Sequence, residues 1–283
     1  MTSFNCYNYS FAKEITLPIF CLQDTNGKTI DLNQTFAPTS KLVWCIKFLL
    51  LIFAVSGVAV DITGDPFPDF WLAYLSHWGE VIGTVYLLLS LIVTVGWLPV
   101  IANLDEMKRE DAYSPSVWTK ILWGLFHGII SIEMIVVVIF WLLEYNGRPI
   151  IYEMLFGHGL LYFAIALDGH VLNRTPIRIK QIVFGYIIAI AYTIWTLIHG
   201  LATHIGNPEK VNEGLDDDAI YSFINWTEKP SRTLITVATL YFVVAPLLFA
   251  IAWGLSIAIP RRYLTKEREE EEGFVDVSTS LLS

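Results

Sequence analysis

The sequence is short of charge. Only 16% of its 283 residues are Asp, Glu, Lys or Arg, where an ordinary soluble domain carries roughly 25%. A water-soluble fold of this length would lack the polar residues to cover its surface. Basic residues are scarcer still: 18 Lys and Arg stand against 27 Asp and Glu, a net charge of −9. Such a chain has no field to attract phosphate, which excludes nucleic acid as a partner. Cysteine is nearly absent. Cys6, Cys21 and Cys45 are odd in number and form no C-x-x-C pair, so neither a disulfide framework nor a cysteine metal site is expected. Cys45, beside the first apolar run, reads as a reduced apolar thiol in preference to a palmitoylation site. No P-loop, dinucleotide fingerprint, H-E-x-x-H or G-x-S-x-G occurs, and no cofactor or metal is assigned.

What is present is apolar sequence: 54% of the residues, with a mean hydropathy of +0.54. The first 40 residues are mixed and turn-rich (Asn26-Gly27, Pro38), without the basic-then-apolar order of a cleavable signal peptide. Six apolar stretches follow, at about 42–62, 78–101, 119–143, 154–172, 181–201 and 233–257. Each approaches the ~20 residues that a helix needs to cross a hydrocarbon core. Unbroken runs such as Met134–Phe140 lack the alternation of a membrane β-barrel strand. The expected fold is therefore all-α, an integral membrane six-helix bundle. Residues 1–40 form a cytoplasmic N-terminal segment, 41–260 the six-span domain, and 261–283 an acidic, disordered cytoplasmic tail. The lipid bilayer is the implied partner, in the plasma membrane or the endoplasmic reticulum.

Orientation follows from the basic residues. Fourteen fall on one side: Lys13, Lys28, Lys41 and Lys47; Lys108, Arg109 and Lys120; Arg174, Arg178 and Lys180; Arg261, Arg262, Lys266 and Arg268. Only Arg148, Lys210, Lys229 and Arg232 fall on the other. Both termini are thus expected in the cytoplasm, and the loop 202–232, with Asp216-Asp217-Asp218, outside. Trp71, Trp78, Trp97, Trp118, Trp141 and Trp226 lie near span ends, where indoles favour the interface. Pro246 should kink the sixth span. Of four N-x-S/T sequons, at Asn8, Asn33, Asn173 and Asn225, only Asn225 is placed outside.

Ionisable groups within spans are costly and ask for an explanation. Ser76, His77 and Glu80 open the second span, His158 comes early in the fourth, and His199 late in the fifth with His204 just beyond. His77 and Glu80 share a helix face at i and i+3. These segments deliver hydroxyl, imidazole and carboxylate groups to a similar depth. The sharper reading is a nucleophile with a histidine base, or a His/carboxylate metal site. The plainer one is interhelical hydrogen bonding. Glu133, near mid-membrane in the third span, suits a proton or cation pathway, or a glutamate facing the bundle interior. His127 lies on the cytoplasmic side of that span. Asp168, beside His170 and close in sequence to Arg174 and Arg178, reads as an interfacial charge cluster. Gly79 and Gly83 form a G-x-x-x-G pair that allows close helix approach.

Several segments carry a family resemblance. Tyr74-Leu75-Ser76-His77-Trp78-Gly79 resembles the Y-L-T-N-W-G-like start of an early span in rolling stone-like membrane proteins. His158-Gly159 leads a helix ending in Asp168. Tyr186 and Trp195 follow, and Tyr221 to Trp226 with Lys229-Pro230 resembles the Y-P-x-L-D-W…P segment before that family's last span. The resemblance covers roughly residues 70–258. It implies a multi-pass membrane protein, non-enzymatic, with a role in cell-surface or membrane processes such as fusion or differentiation. Rolling stone-like proteins are in turn similar to the androgen-induced protein family, some of whose members hydrolyse fatty acid esters of hydroxy fatty acids. That likeness implies an alternative, an intramembrane hydrolase with a lipid ester ligand. Ser76 stands where the family's nucleophilic threonine would be, and His158 matches the first histidine of its N-H-G-x-H pattern. The second, catalytic histidine falls at Leu161, which cannot move a proton. Hydrolysis would then need His158, His77 or His199 as the base for Ser76. A third reading is a transporter or channel using Glu133.

Overall fold

In a computed structural model of the chain, residues 11–23, 28–102, 114–147, 149–203 and 219–263 are described. Cys6, Asn8, Lys108, Arg109, Arg148, His204, Lys210, Asp216–Asp218 and the acidic tail from Lys266 lie outside the described residues. Six helices are long and apolar enough to cross a bilayer: Lys41–Gly64, Leu75–Thr94, Val117–Glu144, Tyr152–Leu172, Ile179–Leu201 and Pro230–Ala258. They are called the first to sixth spans below. No strand forms among the described residues, only isolated bridges. The six-helix bundle is the expected all-α fold.

The third span is the hub. Of its most apolar window 67% is buried, against 11% for the sixth span. It packs against the second, fifth and sixth spans, while the first lies against the second. Trp123, Phe126, Ile129 and Ile130 on it are fully enclosed. Leu49, Phe163, Ile187 and Phe242 on the peripheral spans are exposed, as side chains facing hydrocarbon are in a membrane helix.

The second span starts and stops earlier than the apolar run suggests. It ends at Thr94, and Gly96 turns the chain with φ +82°, a backbone setting that glycine adopts without cost. The apolar residues beyond it run across the end of the bundle, where Val100 and Ala102 pair with Ser116 and Ser114. The G-x-x-x-G pair works as expected. A Cβ on Gly83 would stand 2.8 Å from Ile165 of the fourth span, and one on Gly79 would overlap the Glu133 carboxylate of the third. The irregularity expected at Pro246 is a π-helical turn, Leu240–Val244, just before the proline.

Residues 11–23 and 28–36 close one face of the bundle. Arg178, fully buried, binds Glu14 at 3.2 Å and donates to the carbonyls of Cys21 and Gln23. Phe20 packs on Trp123 and Phe184. The far end of the described chain returns to the same face: Asp31 N–H donates to the Arg262 carbonyl at 3.0 Å, and Arg262 donates to Gln34 and Leu172. This is the terminal face. The opposite one, carrying Asp61, Trp71, Glu144 and Tyr221, is the far face.

Candidate functional site

The fifth and sixth spans stand apart, bridged by tyrosines. Tyr186 hydroxyl donates to the Tyr241 carbonyl at 2.8 Å with the two rings stacked, and Thr193 meets the Tyr241 hydroxyl at 2.9 Å. Behind them lies a half-open cleft with a cavity volume of about 90 Å³. Its walls come from the second to sixth spans and the segment 221–224. From Ile182 to Thr193 its fifth-span wall covers about 17 Å of helix rise. Half of the lining residues are Ile, Val, Leu or Phe. Ser76, Glu144, His158, Tyr192 and Tyr221 line the cleft toward the far face, and Ser131, Tyr186 and Tyr241 line it further along the bundle. Tyr221 accepts from Leu75 N–H at 3.0 Å, and Tyr192 donates to the Ala73 carbonyl at 2.8 Å. Burial pushes the Tyr221 phenol up to about 12, against the pull of the hydrogen bond from Leu75 N–H.

Two of the candidate residues, Ser76 and His158, line this cleft. His158 sits in a π turn with φ −120° and ψ 26°, its ring stacked 3.6 Å from Phe140 and its Nδ1 3.1 Å from the Met154 carbonyl. No hydrogen bond joins Ser76 Oγ to a histidine among the described residues. Leu161 is buried, with Cδ2 in contact range of Gly83. His199 is buried beside Trp195 and outside the lining. His77 turns away from the cleft altogether.

His77 instead belongs to a second cluster at the far face. Its Nε2 lies 3.1 Å from Asp61 Oδ2, its Nδ1 makes a short contact with the Trp71 carbonyl, and its ring stacks on Trp71 at 4.4 Å. Trp71 Nε1 donates to Asp61 Oδ2 at 2.6 Å. Trp71 is therefore a buried scaffold rather than an interfacial anchor; Trp97, 80% exposed, keeps the interfacial character. Glu80 is buried one turn beyond His77, over Gly157, and Glu133 is buried over Gly79. The carboxylate oxygens of Glu80 and Glu133 have no hydrogen-bond partner among the described residues. Asp61 belongs to no motif, because it closes the first apolar stretch and reads as a loop residue. The signal that finds it is antiparallel pairing: a short connection puts the end of the first span beside the start of the second.

Near the terminal face lies a third polar group. Lys47 Nζ sits 2.8 Å from Asp168 Oδ1 and donates to Ser90 and Asn173. Tyr86, Ser90 and Asn173 donate to Asp168 Oδ2 at 2.6, 2.7 and 3.0 Å. All five side chains are buried. The partner of Asp168 is thus Lys47 of the first span, not Arg174 or Arg178 as sequence proximity suggests. Arg178 is held by Glu14, and Arg174 reaches the Pro260 carbonyl. His127 and His170 lie nearby around Phe126. The sequon Asn225 is buried, its amide oxygen accepting from Thr227 and Glu228.

Comparison with known proteins agrees with this architecture. The family model described as protein rolling stone matches residues 4–262, well beyond the segments that carry the visible motifs. Protein rolling stone of Drosophila melanogaster is 23% identical over 177 residues. The match covers 60% of this chain and 61% of that protein, so the chain spans about three-fifths of the length of the relative. No solved structure matches. The chain is a multi-pass integral membrane protein and belongs to the rolling stone family.

Proposed function

We propose that this protein is a non-enzymatic lipid-binding protein of the membrane, with the cleft between the fifth and sixth spans holding an acyl chain. The observation that carries the reading is the cleft itself. Its largely apolar fifth-span wall runs along the helix axis for about 17 Å, and Ser76, Glu144, His158, Tyr192 and Tyr221 line the cleft toward the far face, where a headgroup or ester would sit. Both termini are cytosolic in this reading, supported by the excess of basic residues at the terminal face, including Lys41, Arg178 and Arg262. A plasma-membrane location goes with a role in cell-surface processes such as fusion or differentiation.

A second reading, a serine-type lipid ester hydrolase, is favoured only by the joint presence of Ser76 and His158 in the lining. Against it stand the missing Ser76–histidine hydrogen bond and Leu161 at the position of a base. One experiment separates the two. The protein is purified in mild detergent and its bound lipids are identified by native mass spectrometry. A lipid carried by wild type and by Ser76→Ala, and lost on filling the cleft with Ala189→Trp, supports the binding reading. A serine-directed probe that labels wild type and not Ser76→Ala overturns it in favour of hydrolysis. Delipidated wild-type protein that takes up no lipid from vesicles ends both.

A further inference from the structure

At the far face, three side chains from two helices aim acceptor atoms at one point. Asp61 comes from the last turn of the first span, and His77 and Glu80 from the first two turns of the second. One ligand-type atom from each lies within 4.8 Å of the other two. With a singly protonated His77 the hydrogen count there does not close. The Trp71 carbonyl can only accept, so His77 Nδ1 carries the proton that faces it. His77 Nε2 is then left opposite Asp61 Oδ2 at 3.1 Å. Glu80, 1% exposed, has both oxygens without a hydrogen-bond partner. A second proton on His77 would satisfy Asp61 but not Glu80, whose orphaned carboxylate beside them is costly to bury.

We infer that Asp61, His77 and Glu80 bind a divalent transition-metal ion of the zinc class, held by one imidazole nitrogen and two carboxylate oxygens. Charge supports this, because two carboxylates and a divalent ion sum to zero, the sum that burial near hydrocarbon requires. The donor set, nitrogen with oxygen, suits Zn²⁺ and its neighbours rather than Ca²⁺ or Mg²⁺, which take oxygen alone. Ligand bonds of about 2.0–2.2 Å around zinc place neighbouring donor atoms roughly 3.3 Å apart. The Asp61–His77 pair is already at that spacing, and Glu80 needs a side-chain shift of about 1.5 Å at most to join it. The surroundings are those of a metal site as well. One residue, Trp71, orients two of the donors: its carbonyl fixes the His77 tautomer and its indole N–H holds Asp61. Gly157 opens the space for Glu80, since a Cβ there would stand 2.6 Å from Oε1. Three protein donors leave a fourth position for water or another ligand. None of the three lines the acyl cleft, so the site stands whether or not a lipid is bound.

The test uses the full chain in detergent, stripped with EDTA and titrated with Zn²⁺ against a chromophoric chelator. Wild type takes up one equivalent. His77→Ala and Glu80→Gln each weaken binding at least tenfold while still eluting as a single species, and His170→Gln, near the terminal face, binds like wild type. Equal uptake by wild type and both variants, or none by wild type, overturns the inference. Should the variants misfold, zinc-edge X-ray absorption on loaded wild type decides. A shell with one imidazole and oxygen donors supports the site. Two or more imidazoles, or any sulfur, sinks it.

Discussion

Near the terminal face of the bundle a buried charge is answered within the protein. Asp168 meets Lys47 at 2.8 Å, and three further donors, from Tyr86, Ser90 and Asn173, complete its shell. Toward the far face the chemistry is inverted. Glu80 and Glu133 are as deeply buried as Asp168, yet no hydrogen-bond donor among the described residues reaches their oxygens. Each lies over a glycine of a neighbouring helix instead. The same residue class thus does two jobs in one bundle. At the terminal face it joins the first, second and fourth spans through a closed network. At the far face it leaves acceptor capacity open, which in a low-dielectric interior marks a place for an added proton or cation.

The closed network gives the largest expected effect. Lys47→Met removes the cation and leaves Asp168 buried without its counter-charge, a change that costs about 3–5 kcal/mol for a buried pair. Thermal unfolding of the detergent-solubilised protein, followed by size-exclusion fluorescence, should show a large fall in midpoint. Adding Asp168→Asn to Lys47→Met removes the stranded charge and should recover part of the loss. If the single variant melts with wild type, the ion pair is not formed and the contrast between the two faces disappears.

Much of this contrast was beyond the sequence, though its frame was legible. Long apolar runs give six helices because hydrocarbon allows only structures that satisfy their own backbone, and the observed spans fall on those runs. Gly79 and Gly83 were readable as contact points, and Ser76 and His158 as residues of similar depth, since depth follows from counting along a helix. Rotation about the helix axis does not. His77 is adjacent to Ser76 in sequence and yet faces Asp61 instead of the cleft. Lys47 looked like one more basic residue flanking a span, and only the packing of the first span against the second and fourth turns it inward to Asp168. The second span stops at Thr94 because Gly96 takes a positive φ, which overrides an apolar run continuing to Ile101.

An intermediate effect is expected where Glu80 rests on the fourth span. Gly157→Ala would put a methyl group 2.6 Å from Glu80 Oε1, too close for either to stay in place. Overpacking of this kind costs about 1–3 kcal/mol. The same melting assay should place this variant between wild type and Lys47→Met. Restoring space with Glu80→Ala in the Gly157→Ala background should return most of the loss. Failure of that rescue would mean that the glycine is needed for its backbone and not for the carboxylate above it.

The smallest effect belongs to Glu133, and it is the sharpest probe of the comparison. Glutamine has nearly the shape of glutamic acid and carries no charge. With no cation paired to the Glu133 oxygens among the described residues, Glu133→Gln removes no attraction from the folded state. Fully buried side chains ordinarily resist polar exchange, so a change within about 0.5 kcal/mol, the range of a surface substitution, would be informative here. Asp168→Asn, made alone, changes as few atoms but strands Lys47, and should cost several times more. Melting the two variants side by side measures the difference between an answered and an unanswered carboxylate. Equal losses would mean that Glu133 meets a counter-charge of its own, and that the far face is closed in the same way as the terminal one.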